Sequence, residues 1–170
     1  NPVKQDPGLA SWLQLALTPG LGPVTLQHLL RQFGLPQAVL AKKRSDLAEL
    51  TTPAVLAALD SEEVTQAVAR SLDWAAQPGH WVITLADESY PRMLLEIADP
   101  PAVLYARGRV ELAARTALAI VGSRNATQQG EANAEAFAKA LSEAGLTIVS
   151  GLALGIDAAA HQGALAGGGR

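Results

Sequence analysis

Apolar residues recur at helical spacing from Leu9 to Leu17, where Leu9, Trp12, Leu13 and Ala16 share one face. The run Thr18-Pro19-Gly20-Leu21-Gly22-Pro23 then predicts a tight turn, followed by a helix with proline at its first position. Leu26, Leu29, Leu30 and Phe33 form the buried stripe of that helix, and Gly34 ends it. Shorter helical pieces follow. Ser45 is expected to cap one carrying Leu47 and Leu50, and Thr52-Pro53 fits a cap and first position. Ser61 with Glu62 and Glu63 starts another, the acids placed well for the helix dipole, and Pro78-Gly79 stops it after about Gln77. Residues 1–8, polar with two prolines, read as a frayed lead-in. Residues 1–79 are therefore expected to form an all-helical domain.

The pattern then changes. Trp81 to Leu85 reads as a strand, and Asp99-Pro100-Pro101 introduces a second from Ala102 to Ala106. Ala117 to Val121 is a continuous apolar run, suited to a strand buried on both faces. A helix from about Gln129 to Ala144 presents Ala134, Phe137, Ala138 and Leu141 inward and a Glu135–Lys139 pair outward. Gly145 stops it, Leu146 to Val149 is a fourth strand, and a last helix runs from Gly155 to about Ala166. Strand–helix–strand–helix with short turns is the start of a doubly wound parallel sheet. The expected class is α/β, with residues 80–170 an incomplete sheet domain. Gly167-Gly168-Gly169-Arg170 is expected to lead into a further strand, so the chain reads as a fragment whose sheet has an unpaired edge.

Composition narrows the chemistry. The chain has 170 residues, 49% hydrophobic and 17% charged, which suits globular cores. It contains no cysteine, which removes disulfides and thiolate metal sites and suits a reducing cytoplasm. No leader pattern opens it, and no apolar run reaches the roughly 18 residues of a membrane span. The formal net charge of −3 argues against wholesale coating of duplex DNA, so any nucleic-acid contact must be a local pocket.

Two loops carry the candidate chemistry. In the first, Gly122-Ser123-Arg124-Asn125 with Thr127 and Gly130 joins a strand end to a helix start. Free peptide N–H groups and the helix dipole favour an anion there, and Arg124 adds a charged fork suited to phosphate. Gly122 is expected to let a ligand approach closely. The second loop, Ser150-Gly151-Leu152-Ala153-Leu154-Gly155, repeats the construction. Successive parallel strands would set the two side by side as one anion-binding cleft.

Neither loop matches the dinucleotide or P-loop pattern. Asp157 and His161 stand four apart on the last helix, but helix capping by Asp157 and local packing of His161 explain them more simply than catalysis. No nucleophile–base set, carboxylate pair or metal-ligand cluster is apparent, so no catalytic residue, metal or cofactor is assigned. Pro19-Gly20-Leu21-Gly22 is similar to half of a helix–hairpin–helix, with a plain interhelical turn the simpler reading. Lys42-Lys43-Arg44 reads as a solvated loop before an accessory phosphate patch.

Gly122-Ser123-Arg124 with Thr127 and Gly130, then Ser150-Gly151-Leu152-Ala153, Gly155-Ile156-Asp157 and Ala160-His161, resemble the central signature of the DNA-processing protein A (DprA/Smf) family. Upstream, Tyr90-Pro91, Leu94, Ile97, Asp99-Pro100-Pro101, Leu104-Tyr105 and Gly108 are similar to the family's lead-in, so the likeness spans roughly residues 80–167. The front domain resembles the sterile-alpha-motif (SAM-like) domain that many members carry. The resemblance implies a Rossmann-like domain that binds single-stranded DNA, dimerises and loads a RecA-type recombinase in natural transformation, without a catalytic reaction. It implies Arg124 as the main phosphate contact, with Ser123, Thr127, Ser150 and Gly151 lining the pocket. Gln129 stands where the family often has an aromatic residue and Leu154 where a basic one is common, which removes a stacking platform and a charge. The competing reading is a nucleotide-binding enzyme of the lysine-decarboxylase-like phosphoribohydrolase type, whose Pro-Gly-Gly-x-Gly-Thr loop these residues lack.

Overall fold

The computed structural model describes residues 8–169, so the expected lead-in lies, apart from Gly8, outside the described residues, as does Arg170. The chain divides into two compact units, one up to Val110 and one from Glu111. Helices and strands part near residue 79, as the sequence pattern predicts, but the first two strands that follow belong to the first unit.

The first unit begins with six helices: α1 (Leu9–Leu17), α2 (Pro23–Phe33), α3 (Pro36–Leu40), α4 (Arg44–Ala48), α5 (Pro53–Ala58) and α6 (Glu62–Ala75). Prolines occupy the first turns of α2, α3 and α5, where the missing N–H costs nothing. Thr52 and Ser61 cap α5 and α6 by accepting from the N–H groups of Val55 and Val64. Ser45 is not a cap; α4 starts one residue after Lys43, which places Ser45 inside the first turn. Trp12, Leu15, Leu26, Leu29, Val39, Leu47, Val55 and Leu59 make the main core. A second cluster joins Leu9 and Leu13 to Ala75 and Val82.

Strands β1 (His80–Thr84) and β2 (Val103–Arg107) pair antiparallel, with Val82 opposite Tyr105. The described residues form two separate two-stranded sheets, so these strands are not the first members of the parallel sheet. Asp87 closes the end of β1 by accepting from the Thr84 N–H (2.6 Å) and hydroxyl (2.9 Å).

The second unit is β3 (Ala117–Ala119), α7 (Gln128–Glu143), β4 (Thr147–Val149) and α8 (Ile156–Ala166). β3 and β4 are parallel, Leu118 opposite Ile148. β3 is shorter than the apolar run suggests, and all three of its residues are exposed rather than buried on both faces. The core is instead a contact of small residues: Ala138, Ala160 and Ala164 pack with Ile148. Gly163 lets the helix backbones meet, since a Cβ there would stand 2.1 Å from the Glu135 carbonyl oxygen. The Ser142 hydroxyl donates to the Ala164 carbonyl (3.0 Å) across the same contact. Two expectations for α7 fail. Phe137 is 66% exposed, because a phenyl ring has no room in an alanine-lined seam. The ion pair on the outer face joins Lys139 to Glu143 (4.0 Å), not to Glu135.

Candidate nucleic-acid interface

Both loops leave the carboxyl ends of adjacent parallel strands, where open α/β sheets place their ligands. In the first, the Ser123 hydroxyl accepts from the Asn125 N–H (3.1 Å), which bends the chain toward α7. Thr127 caps α7, its hydroxyl accepting from the Gly130 N–H (3.1 Å). In the second, the Ser150 hydroxyl donates to the Ile120 carbonyl (2.7 Å), tying the loop to the end of the neighbouring strand. The three hydroxyls read as pocket donors are thus also the fasteners that shape the loops.

The glycines have the same dual character. The Ile156 N–H donates to the Ser123 carbonyl (3.2 Å), hooking one loop on the other. Gly155 sits at φ +74, and a Cβ there would come within 2.3 Å of the Ser123 oxygen and 2.7 Å of the Arg124 oxygen. The space beside Gly122 is taken by Ile156, whose side chain lies 2.7–2.9 Å from where a Cβ would be, so that glycine admits Ile156 and not a ligand. A Cβ at Gly130 would stand 3.5 Å from the same side chain. Gly122, Ser123, Arg124, Asn125, Thr127, Gly130, Ser150, Gly151 and Gly155 are therefore brought together, with Ile156 as the shared wedge. Sequence reading quoted Ile156 within the signature run but gave it no role; locally it is marked as an apolar residue directly after the last loop glycine.

Arg124 is exposed, and among the described residues its guanidinium has no ion-pair partner. The N–H groups of Ser123, Arg124, Gly151 and Leu152 have no acceptor among those residues. One free cation beside open amides is the chemistry of a phosphate site. Gln129 is engaged along α7, its amide donating to Asn133 (2.9 Å), and Leu154 is exposed. Asp157 does not cap α8, whose cap position is Gly155. It lies in the first turn, buried, and its Oδ2 accepts from the Ala153 N–H (3.4 Å). Among the described residues its Oδ1 and His161 Nε2 have no hydrogen-bond partner and are not bonded to each other.

Elsewhere, Gly20 turns the α1–α2 corner at φ +81 against Val55. The basic triplet is partly engaged: Arg44 pairs with Asp60, and Lys42 sits 5.4 Å from the Phe33 ring centroid. The first unit also holds an open hollow of about 480 Å³ lined by Leu17, Ala67, Arg70, Ser71, Trp74 and Tyr105, which no motif marks. Among the described residues no cluster suits a metal ion, and no helix is long and apolar enough to cross a membrane.

Comparison with known proteins bears on the same residues. The family model described as DNA recombination-mediator protein A matches residues 81–170. Protein Smf of Synechocystis is 33% identical over 167 residues, spanning 95% of this chain and 42% of that protein. Protein Smf of Escherichia coli K12 is 40% identical over 100 residues, 59% of this chain and 27% of that one. The X-ray structure of DNA processing protein A (DprA) from Streptococcus pneumoniae superposes with a TM-score of 0.69 at 30% identity, covering 94% of this chain and 53% of that one. The chain thus spans roughly a quarter to a half of the length of these relatives. The mixed helix and sheet architecture is shared with that solved protein, and the family is one of mediators, not a known class of enzyme. With both loops inside the matched segment, the chain belongs to the DNA recombination-mediator protein A family, that of DprA and Smf.

Proposed function

We propose that the interlocked loops form part of a single-stranded-DNA site, in a protein that processes incoming DNA and passes it to a RecA-type recombinase in natural transformation. Arg124 holds a backbone phosphate. The open amides of Ser123, Arg124, Gly151 and Leu152 complete the cradle, and Gly122, Asn125, Thr127, Gly130, Ser150 and Gly155 fix its walls. On this reading the second unit, from Glu111, is the first part of a Rossmann-like domain, and the helices α1–α6 of the first unit form a SAM-like domain. The whole protein acts as a cytoplasmic homodimer. The observation that carries the proposal is the pairing of two strand-end loops, joined by the Ile156–Ser123 hydrogen bond, beside an exposed arginine with no ion-pair partner among the described residues. The net charge of −3 fits a local site better than a basic coat.

The test is a titration of labelled oligo-dT at several salt concentrations with the wild-type protein and Arg124→Ala. The variant should bind more weakly, and its salt slope should drop by about 0.7, the share of one phosphate on a single strand. Unchanged affinity and slope would reject the site.

A further inference from the structure

The two loops look alike in sequence but are held differently, and the difference lies in Asp157. This carboxylate is only 6% exposed, yet it sits in a cleft proposed to take phosphate. A carboxylate in the first turn of a helix is ordinarily accounted for by the dipole. Here the chain also wraps it. The Ala153 N–H donates to Oδ2 (3.4 Å) from four residues upstream. Gly151 passes so close that a Cβ would stand 2.8 Å from the same oxygen. Between them Leu152 is held at φ +57, a left-handed conformation unfavourable for leucine, with its side chain 82% exposed. Strained backbone of this kind persists only where its surroundings enforce it. The first loop has no counterpart, its turn being closed by the Ser123 and Thr127 hydroxyls.

We infer that Asp157 is a positioning residue, the internal strut that holds the Gly151–Leu154 loop in its strained form so that the Gly151 and Leu152 amides face the cleft. This rests on the single-strand reading of the site and divides the labour within it. The Arg124 side attracts phosphate, while the Asp157 side supplies shape from an anion turned inward. A strut acts through its acceptor oxygen and not through its charge, so the neutral isostere should serve.

The experiment measures two quantities in the wild-type protein, Asp157→Ala, Asp157→Asn, Gly151→Ala and the Gly151→Ala/Asp157→Ala double variant. One is amide hydrogen exchange across residues 150–158, which needs no ligand. The other is oligo-dT affinity with its salt slope. Asp157→Ala should speed exchange in that segment and weaken binding by about tenfold with the slope unchanged. Asp157→Asn should restore both. Gly151→Ala, which pushes the carboxylate off the Ala153 N–H, should match Asp157→Ala, and the double variant should be no worse than either. Wild-type exchange rates in Asp157→Ala would overturn the inference, as would tighter binding in both Asp157 variants, the mark of a charge effect, or a failed Asn rescue. Thermal melts identify any variant that does not fold, and the Gly151→Ala arm still tests the strut with Asp157 in place. If Arg124→Ala binds like the wild type while the exchange results hold, the single-strand reading fails and the strut stands.

Discussion

A methyl group at position 163 would meet the Glu135 carbonyl oxygen at 2.1 Å, so one hydrogen atom decides how closely α7 and α8 approach. Alanine is the better helix former by about 1 kcal/mol, yet overpacking a rigid seam costs about 1–3 kcal/mol. Gly163→Ala is therefore expected to lower stability in urea, and a gain would show that the seam yields. Tyr90 offers a second residue-scale test. Its ring is buried, its hydroxyl donates to the Pro101 carbonyl (2.8 Å), and burial raises the phenol above the usual 10.0. Because the folded state holds this proton more tightly, its contribution is complete below pH 10 and is lost as pH rises through the folded value. The wild-type protein should lose more Tm than Tyr90→Phe between pH 9 and pH 11, and parallel losses would count against this. At this scale the sequence picked out the two loops better than the bonds that hold them. Thr127 and Ser150 were legible as hydroxyls beside a cleft, but their bonds to Gly130 and Ile120 depend on a neighbouring strand that no local pattern names. Phe137 was misplaced because helical spacing shows a face, not the depth of the groove opposite.

Helix starts were legible in part, since a cap is a local device: Thr52 and Ser61 cap as their sequence predicts, Ser45 and Asp157 do not, and Thr127 is a cap that the sequence reading took only for a pocket hydroxyl. Thr52, Ser61 and Thr127 each accept a hydrogen bond from the N–H three residues on. Ser61→Ala should destabilise the first unit by about 1 kcal/mol, read from tryptophan fluorescence in urea, whereas Ser45→Ala, which removes no cap, should change little. Strand existence was also readable, but strand pairing was not. β1 and β2 pair with each other because eighteen further residues, Leu85 to Ala102, bring them back antiparallel, a closure invisible to alternation. The shortness of β3 has a similar cause: Val121 is apolar, but the chain has already turned into the loop that Ser150 fastens.

The molecule consists of two units of unequal substance. The first has an extended core built on Trp12, Leu15, Leu29, Leu47 and their neighbours, while the second rests on Ala138, Ile148, Ala160 and Ala164. About sixty residues with three alanines among four core positions make a marginal unit. The three tryptophans, Trp12, Trp74 and Trp81, all lie in the first unit. Urea unfolding followed by tryptophan fluorescence should therefore lag behind that followed by far-UV circular dichroism, which also sees α7 and α8. Coincident curves would mean that the units melt as one. Family membership was legible because the two loops lie in the segment the family model matches, whereas the division near residue 110 was not, since it depends on which strands pair.

The seam between α7 and α8 also bears on the order of assembly. Only a three-residue strand and two short connections separate the helices, yet the contacts in the seam, such as Glu135 with Gly163 and Ser142 with Ala164, join residues 28 and 22 positions apart. Paired residues of β3 and β4 are 30 positions apart, and loop-closure entropy grows only slowly with length, so seam and strand pair close at comparable cost. The helical pair and the cleft, which needs both strand ends, are therefore expected to form in one step and not in sequence.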